Sequence, residues 1–185
     1  MTMRKQMIFA TALTAVCLAG CGVTPNTGSA EERQILHGEC QATLTDFTSS
    51  DPTLASKLTA AYGYAIFPHV VTAAVGVGGA HGNGEVYMRD RLVGYADVSQ
   101  GNIGAQLGVQ KYAELVLFEN QRSLTDFQAS TVVFDARATA VAAASGAAET
   151  ADYTRGVIVF TMPETGLMVQ AAVGGQKFRY VATGP

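Results

Sequence analysis

The chain has 185 residues, 48% hydrophobic and 15% charged, with a formal net charge of −3. That is enough apolar material for one domain with a real core, and too little charge for a disordered chain. The acidic balance and the absence of any basic stripe exclude a nucleic-acid binder.

The N-terminus has the pattern of an export signal. Arg4 and Lys5 form a positive region, and Met7 to Leu18 forms an apolar run too short to span a bilayer comfortably. It ends in Leu18-Ala19-Gly20-Cys21, the lipobox of bacterial lipoprotein precursors. Small Ala19 and Gly20 suit the peptidase, and the Cys21 thiol is the nucleophile that accepts the diacylglyceryl group. Residues 1–20 are therefore expected to leave as a signal peptide, 21–30 to form a lipidated N-terminus and linker, and 31–185 to form the domain. Loss of Arg4 and Lys5 takes the charge to −5. Gly22 rather than Asp after the anchor favours the periplasmic face of the outer membrane. Cys17 leaves with the signal and Cys21 goes to lipid. Cys40 is left without a disulfide partner and is read as a small buried hydrophobe.

Val23 to Ala30 is a short polar linker, reaching roughly 25 Å when extended. Glu31 to Phe47 is predicted helical, because Leu36, Cys40, Leu44 and Phe47 share one face. Ser29 is its N-cap and Glu32 completes a capping box. Asp51-Pro52 is expected to start a second helix as N-cap and first helical residue. Leu54, Leu58 and Ala61 are its buried stripe, and Gly63 its end.

Strands follow. Tyr64 to Phe67 is one, interrupted by Pro68. Val70 to Val77 is either a helical turn or extended chain. The glycines from 76 to 84 are read as strand bends and turns. Glu85 to Met88 and Leu92 to Ser99 form a hairpin around Arg89-Asp90-Arg91. Gly104 to Val109 and Ala113 to Phe118 are further strands. Ser123 caps a short helix reaching Ala129. Ala136 to Ala148 has helical propensity, but the alternation entering it favours strand. Gly156 to Met162, Leu167 to Val173 and Gln176 to Val181 complete the pattern, with turns at Glu164-Thr165-Gly166 and Gly174-Gly175. The expected fold is α+β: two N-terminal helices, then a mostly antiparallel, curved sheet with one short inserted helix.

Candidate chemistry is sparse. The glycine run lacks a following Gly-Lys-Ser/Thr and opens no helix, so it does not match a nucleotide loop. His37, His69 and His81 lack metal-ligand spacing, and no cofactor motif is present. Ser99, with Asp97 two residues away on the same strand face, is the best candidate nucleophile. It has no elbow motif and no placed base. The cations available to lipid head groups are Lys57, Arg89, Arg91, Lys111, Lys177 and Arg179. Lys57 is expected near the chain's entry to the domain, and Arg89 and Arg91 at a hairpin tip able to reach a membrane. Lys177 and Arg179 alternate with Phe178 and Tyr180 as the wet face of an edge strand.

From Leu54 to Tyr180 the chain resembles the SYLF domain family. The matching marks are Ala65-Ile66-Phe67-Pro68, Val75-Gly76-Val77-Gly78-Gly79-Ala80, Gly84 with Val86-Tyr87, and Gly94-Tyr95 with Ser99. They continue with Gly104-Ala105-Gln106-Leu107-Gly108-Val109-Gln110, then Leu124 and Phe127, Gly166-Leu167-Met168 and Gly175-Gln176-Lys177-Phe178. The resemblance implies a non-catalytic lipid-binding module. Eukaryotic relatives bind phosphoinositides, partly through an N-terminal amphipathic helix, and some fungal members bind actin. Actin is not an expected partner for an envelope protein. The family commonly places Lys directly before the glycine at the strand entry. Tyr62 stands there instead, so this is where a changed ligand is expected.

Three function classes follow: a lipid- or membrane-surface-binding lipoprotein, an envelope interaction protein whose only lipid contact is its anchor, and a hydrolase using Ser99. The anchor is testable by itself. Cys21→Ala should abolish palmitate incorporation and leave unprocessed precursor; palmitate labelling that persists in the variant would contradict the lipobox assignment.

Overall fold

Ser29 opens the first helix as its chemistry requires. Its hydroxyl accepts from Glu32 N at 3.2 Å, and Glu32 Oε2 accepts from Ser29 N at 2.6 Å. In the computed structural model, which describes residues 28–129, 141–142, 144–164 and 175–183, this helix is α1, Ala30–Ser50. At 74–78, 102–108 and 142 only the backbone is described. The lipobox, residues 136–140 and 143, and the return strand Leu167–Val173 lie outside the described residues.

Cys40, Thr43 and Phe47 are the buried face of α1, with Leu36 and Leu44 partly buried beside them. The thiol is fully buried and donates weakly to Ile66 O at 3.8 Å. Burial, then the nearby Glu85 carboxylate, push its pKa far up, so Cys40 behaves as a small apolar side chain.

Asp51 does not start the second helix. It caps the end of α1, and α2 runs Leu54–Ala60 from Thr53. The Asp51 carboxylate instead accepts from Thr53 Oγ1 (2.6 Å), Thr53 N (3.0 Å), Gly146 N (3.1 Å) and Ala148 N (2.6 Å). Burial alone would raise its pKa, but these donors outweigh it and hold the group below its usual range. Asp51 thus clamps the α1–α2 turn to α4 (Ala147–Thr150), a partner far along the chain.

The separate strands expected from Tyr64 to Phe118 are two long ones. β1 is Gly63–Met88 and β2 is Arg91–Phe118, paired antiparallel along their length. Pro68 does not end β1; it sits with His69 in a bulge between Phe67 and Val70. The glycines from 76 to 84 lie within the strand and form no turns. The turn is Arg89-Asp90, with both φ positive (48° and 62°) and Met88 paired to Arg91, the two-residue hairpin geometry that matches strand twist.

A 26-residue strand left straight would reach about 85 Å. The ribbon bends instead. Val75 pairs with Leu107 and Val77 with Ile103, so β2 spends four residues where β1 spends two. Beyond this bend the halves of β1 return side by side. Tyr64 and Tyr87 stack at 4.8 Å, and a Cβ on Gly82 would lie 2.7 Å from His69 O. A Cβ on Gly84 would strike Ile66 O and the Phe67 ring closer still. Gly63 is needed for the same reason, against Tyr87 O; it does not end α2.

β4 (Val157–Pro163) pairs with the second half of β2, and β5 (Gln176–Ala182) with its first half. With the halves of β1 and β2 counted separately, the sheet has six antiparallel segments and is open. β3, Val141–Ala142, adds a short parallel edge on β4. Its continuation is not strand: Ala147 and Ala148 are in α4. The inserted helix α3 is Gln121–Gln128, capped by Asn120, with Ser123 as the reciprocal partner of the capping box. The domain is α+β.

The sheet carries a core on each face. Cys40, Phe47, Leu54, Tyr64, Ile66, Leu115, Leu117 and Phe160 pack under α1, α2 and α4. Phe67, Val86, Val98, Phe118, Phe127 and Phe178 fill the other face, with α3 over it. This second face is concave. Phe67 and Phe178, on segments three apart, have ring centroids 5.6 Å apart. Gln176 Nε2 donates to Glu114 Oε2 at 2.8 Å although β5 and that part of β2 are four segments apart.

Glu114 and Gln176 are both fully buried, and each has one oxygen without a partner. A proton on Glu114 gives the pair the donor it lacks. Burial raises its pKa from 4.5 to about 7, with the Gln176 hydrogen bond opposing weakly. The folded state therefore holds this proton more tightly than the unfolded chain. Its contribution is full below pH ~4.5 and is lost as pH rises through about 7. Glu114→Gln should flatten the stability profile in that window and stabilise the protein above pH ~8, by on the order of 3 kcal/mol. Denaturant titrations across pH check this; an unchanged profile would contradict it.

Candidate membrane-facing end

The position of α1 follows from three contacts. Arg33 and Asn83 line one groove, His37 Nδ1 lies 3.1 Å from Glu85 Oε2, and Gln41 Nε2 donates to Tyr87 OH at 3.1 Å. One helical turn advances about as far as two strand residues, so α1 runs parallel to the second half of β1. Its start lies level with Asn83 and the Pro68–His69 bulge. The Arg89-Asp90 turn lies roughly 18 Å further along the helix axis. The domain thus has two ends: one holds the start of α1 and the ribbon bend, the other holds the hairpin tip.

The bend end is apolar and uncharged in sequence. No Asp, Glu, Lys or Arg occurs from Val70 to Gly84 or from Gly101 to Gln110. The exposed large hydrophobic residues of the described chain are Ile35, Val71 and Val109, with Val109 67% exposed. Val71 pairs with Lys111 and Ala73 with Val109, so all four share one face of the ribbon. Ile35 lines the groove with Pro68 and His69. His69 Nδ1 pairs with Glu164, just past the end of β4, and its Nε2 lies 3.8 Å from Glu39 on α1.

The candidate cations divide between the two ends. Lys111 is exposed beside Val71 and Val109. Arg89, Arg91 and Tyr62 are at the hairpin end, where the Arg89 guanidinium lies 5.5 Å from the Tyr62 ring centroid. Cation–π attraction of about 0.5–1 kcal/mol there offsets part of the cost of an arginine at φ 48°. Lys57 is not near the start of α1. The 21-residue helix, about 30 Å long, separates them. Its Nζ donates to Ala151 O at 2.6 Å and lies 6.0 Å from the Tyr153 ring. Lys177 and Arg179 are exposed and Phe178 is buried, as their alternation predicts.

Ser99 is exposed, with His81 and Lys177 opposite it on the neighbouring strands. Its hydroxyl donates to the backbone oxygen of Lys177 at 3.4 Å and reaches no acceptor side chain among the described contacts. Asp97 lies beside it and is mostly buried, which raises its pKa against the opposing pull of His81 and Arg179. Among the described residues no group of three or more His, Cys, Asp or Glu could hold a metal ion. No described helix is long and apolar enough to cross a membrane.

The chain matches no protein-family model, and no curated protein matches it.

The buried polar roles of Glu85, Glu114 and Gln176 escape the sequence reading, which assigns Asp51 to the wrong helix end. For Glu114 a signal exists, a lone acid inside the apolar run Ala113–Phe118. For Gln176 there is none, because its partner comes from a distant segment. Lys57 offers a direct check of the division between ends. Lys57→Met should cost about 1–2 kcal/mol of stability through the lost Ala151 hydrogen bond, and leave vesicle binding unchanged. A loss of vesicle affinity at unchanged melting temperature would assign Lys57 to lipid instead.

Proposed function

We propose that this protein is a bacterial envelope lipoprotein, anchored through Cys21. Its non-catalytic SYLF-type domain, entered through two helices, lies against a membrane surface, on the periplasmic side of the outer membrane. One observation carries the reading: Ile35, Val71 and Val109 collect at the end of the domain where α1 begins. The chain from Cys21 to Gly28 reaches roughly 25 Å, so acyl chains on Cys21 hold that end near the bilayer. Valines at a strongly bent ribbon then meet the apolar boundary, and Lys111 sits where a head-group phosphate is available. The membrane contact in this reading is the ribbon bend. The hairpin-tip cations Arg89 and Arg91, with Tyr62 and Lys57, face away from it.

The outward-facing hairpin end supports a second reading, in which the domain presents a preset Arg89–Tyr62 pair to another envelope protein and the anchor alone touches lipid. Flotation with vesicles separates the two. The mature chain with Cys21→Ser retains every described residue and lacks the anchor. It should float with phospholipid vesicles, and Val109→Asp should weaken that binding about tenfold or more. If the Cys21→Ser chain ignores vesicles of every charge, the membrane-surface reading is wrong and the interaction reading stands.

A further inference from the structure

His81, Ser99 and Lys177 stand side by side across β1, β2 and β5, and all three are exposed. Directly opposed residues of an antiparallel sheet project from the same face, about 5 Å apart. That face is the outer one, where Glu85 and Tyr87, at even spacing from His81 along β1, meet α1. The next row towards the hairpin is Asn83, Asp97 and Arg179. The next row towards the bend has Gly79 opposite Gly101. A Cβ on Gly101 would meet nothing within 4 Å, so this row is a bare shelf beside three polar side chains.

Among the described residues, His81, Lys177 and Arg179 enter no ion pair. Asp97 is mostly buried, and Arg179 faces it across the strand pair and offsets its charge. The Lys177 ammonium, a ring N–H of His81 and the Ser99 hydroxyl are left as donors around one spot. The hydroxyl's bond to Lys177 O, at 3.4 Å, is long, and a charged acceptor makes a stronger one. In an acidic chain no overall field draws anions, so such a cluster acts locally.

We propose that this face binds a soluble phosphomonoester, its phosphate held by Lys177, Ser99 and His81 and its organic part lying over Gly79 and Gly101. Donors from three strands suit the three terminal oxygens of a monoester, whereas a carboxylate offers two. The shelf admits an organic group that side chains would exclude. The source follows from distance. Ser99 precedes Ile103 at the bend by four residues, roughly 13 Å along the strand. The head-group layer on each side of a bilayer is about 5–8 Å deep. A bend seated at the apolar boundary therefore leaves Ser99 in water, beyond the lipid phosphates. The soluble source rests on the membrane-facing reading above, and the phosphate chemistry does not.

NMR titration of the mature Cys21→Ser chain with glycerol 3-phosphate tests this. Saturable shifts of the Ser99, Gly101 and Lys177 amides are expected, and none with glycerol or with acetate at equal ionic strength. Lys177→Gln, at an exposed position, should weaken binding about tenfold or more with the fold unchanged. Gly101→Val fills open space on a strand residue without positive φ, so its melting temperature should be unchanged or higher. It should abolish the glycerol 3-phosphate response while inorganic phosphate still binds. Shifts that are absent, unsaturable or equal in Lys177→Gln overturn the proposal, as does equal binding of acetate. Phosphatidylcholine vesicles containing phosphatidic acid should not displace the probe. Displacement would assign the site to a lipid phosphate and overturn the soluble source. A saturable probe response in a chain that ignores vesicles keeps this site and removes the membrane reading. Vesicle binding without a probe response removes this site and leaves the membrane reading intact.

Discussion

The return of β1 against itself is the constraint on which the rest depends. Its two halves touch because Gly63, Gly82 and Gly84 offer no side chain where Tyr87 O, His69 O and Ile66 O pass. A methyl group there meets backbone, which cannot swing aside as a flexible side chain can. The approach brings Tyr64 onto Tyr87 and makes one continuous floor for α1. It also turns the opposite face inward, so Phe67, Phe127 and Phe178 can meet and α3 can cover them.

Polar residues within this arrangement are joined across long sequence distances. Asp51 satisfies the amide groups at the start of α4, and Glu114 joins Gln176 across the concave face. The cluster of His37, Glu85, Tyr87 and Gln41 ties α1 to β1. Buried hydrogen bonds of this kind contribute modest net stability, but leaving one partner unmatched costs more. They therefore set the register of the elements more than they set total stability. The parallel run of α1 along β1 is one such register, and it decides which end of the domain holds the start of α1.

That placement separates residues that look equivalent in sequence. Lys57, Arg89, Arg91 and Lys111 are all cations in a weakly charged chain. Only Lys111 shares an end with the start of α1 and the exposed valines. Lys57 is taken up by Ala151 O, and Arg89 by the Tyr62 ring. Tyr62 thus has a structural partner in Arg89, which sits in a left-handed turn position.

Local chemistry alone determined the α1 capping box, the apolar face of that helix, the hairpin near Arg89-Asp90 and the wet and dry faces of β5. Each depends on residues within a few positions of one another. The α+β class followed from the change of hydrophobic period after Gly63. Tertiary structure decided the rest. Whether Gly76 to Gly84 makes turns or one long strand depends on the partner strand, which supplies the missing hydrogen bonds. Whether Asp51 caps its own helix or a distant one depends on α4 being brought to it. Which cations share an end with the start of α1 depends on a bend that moves the two ends of one ribbon together, and no local spacing encodes that contact.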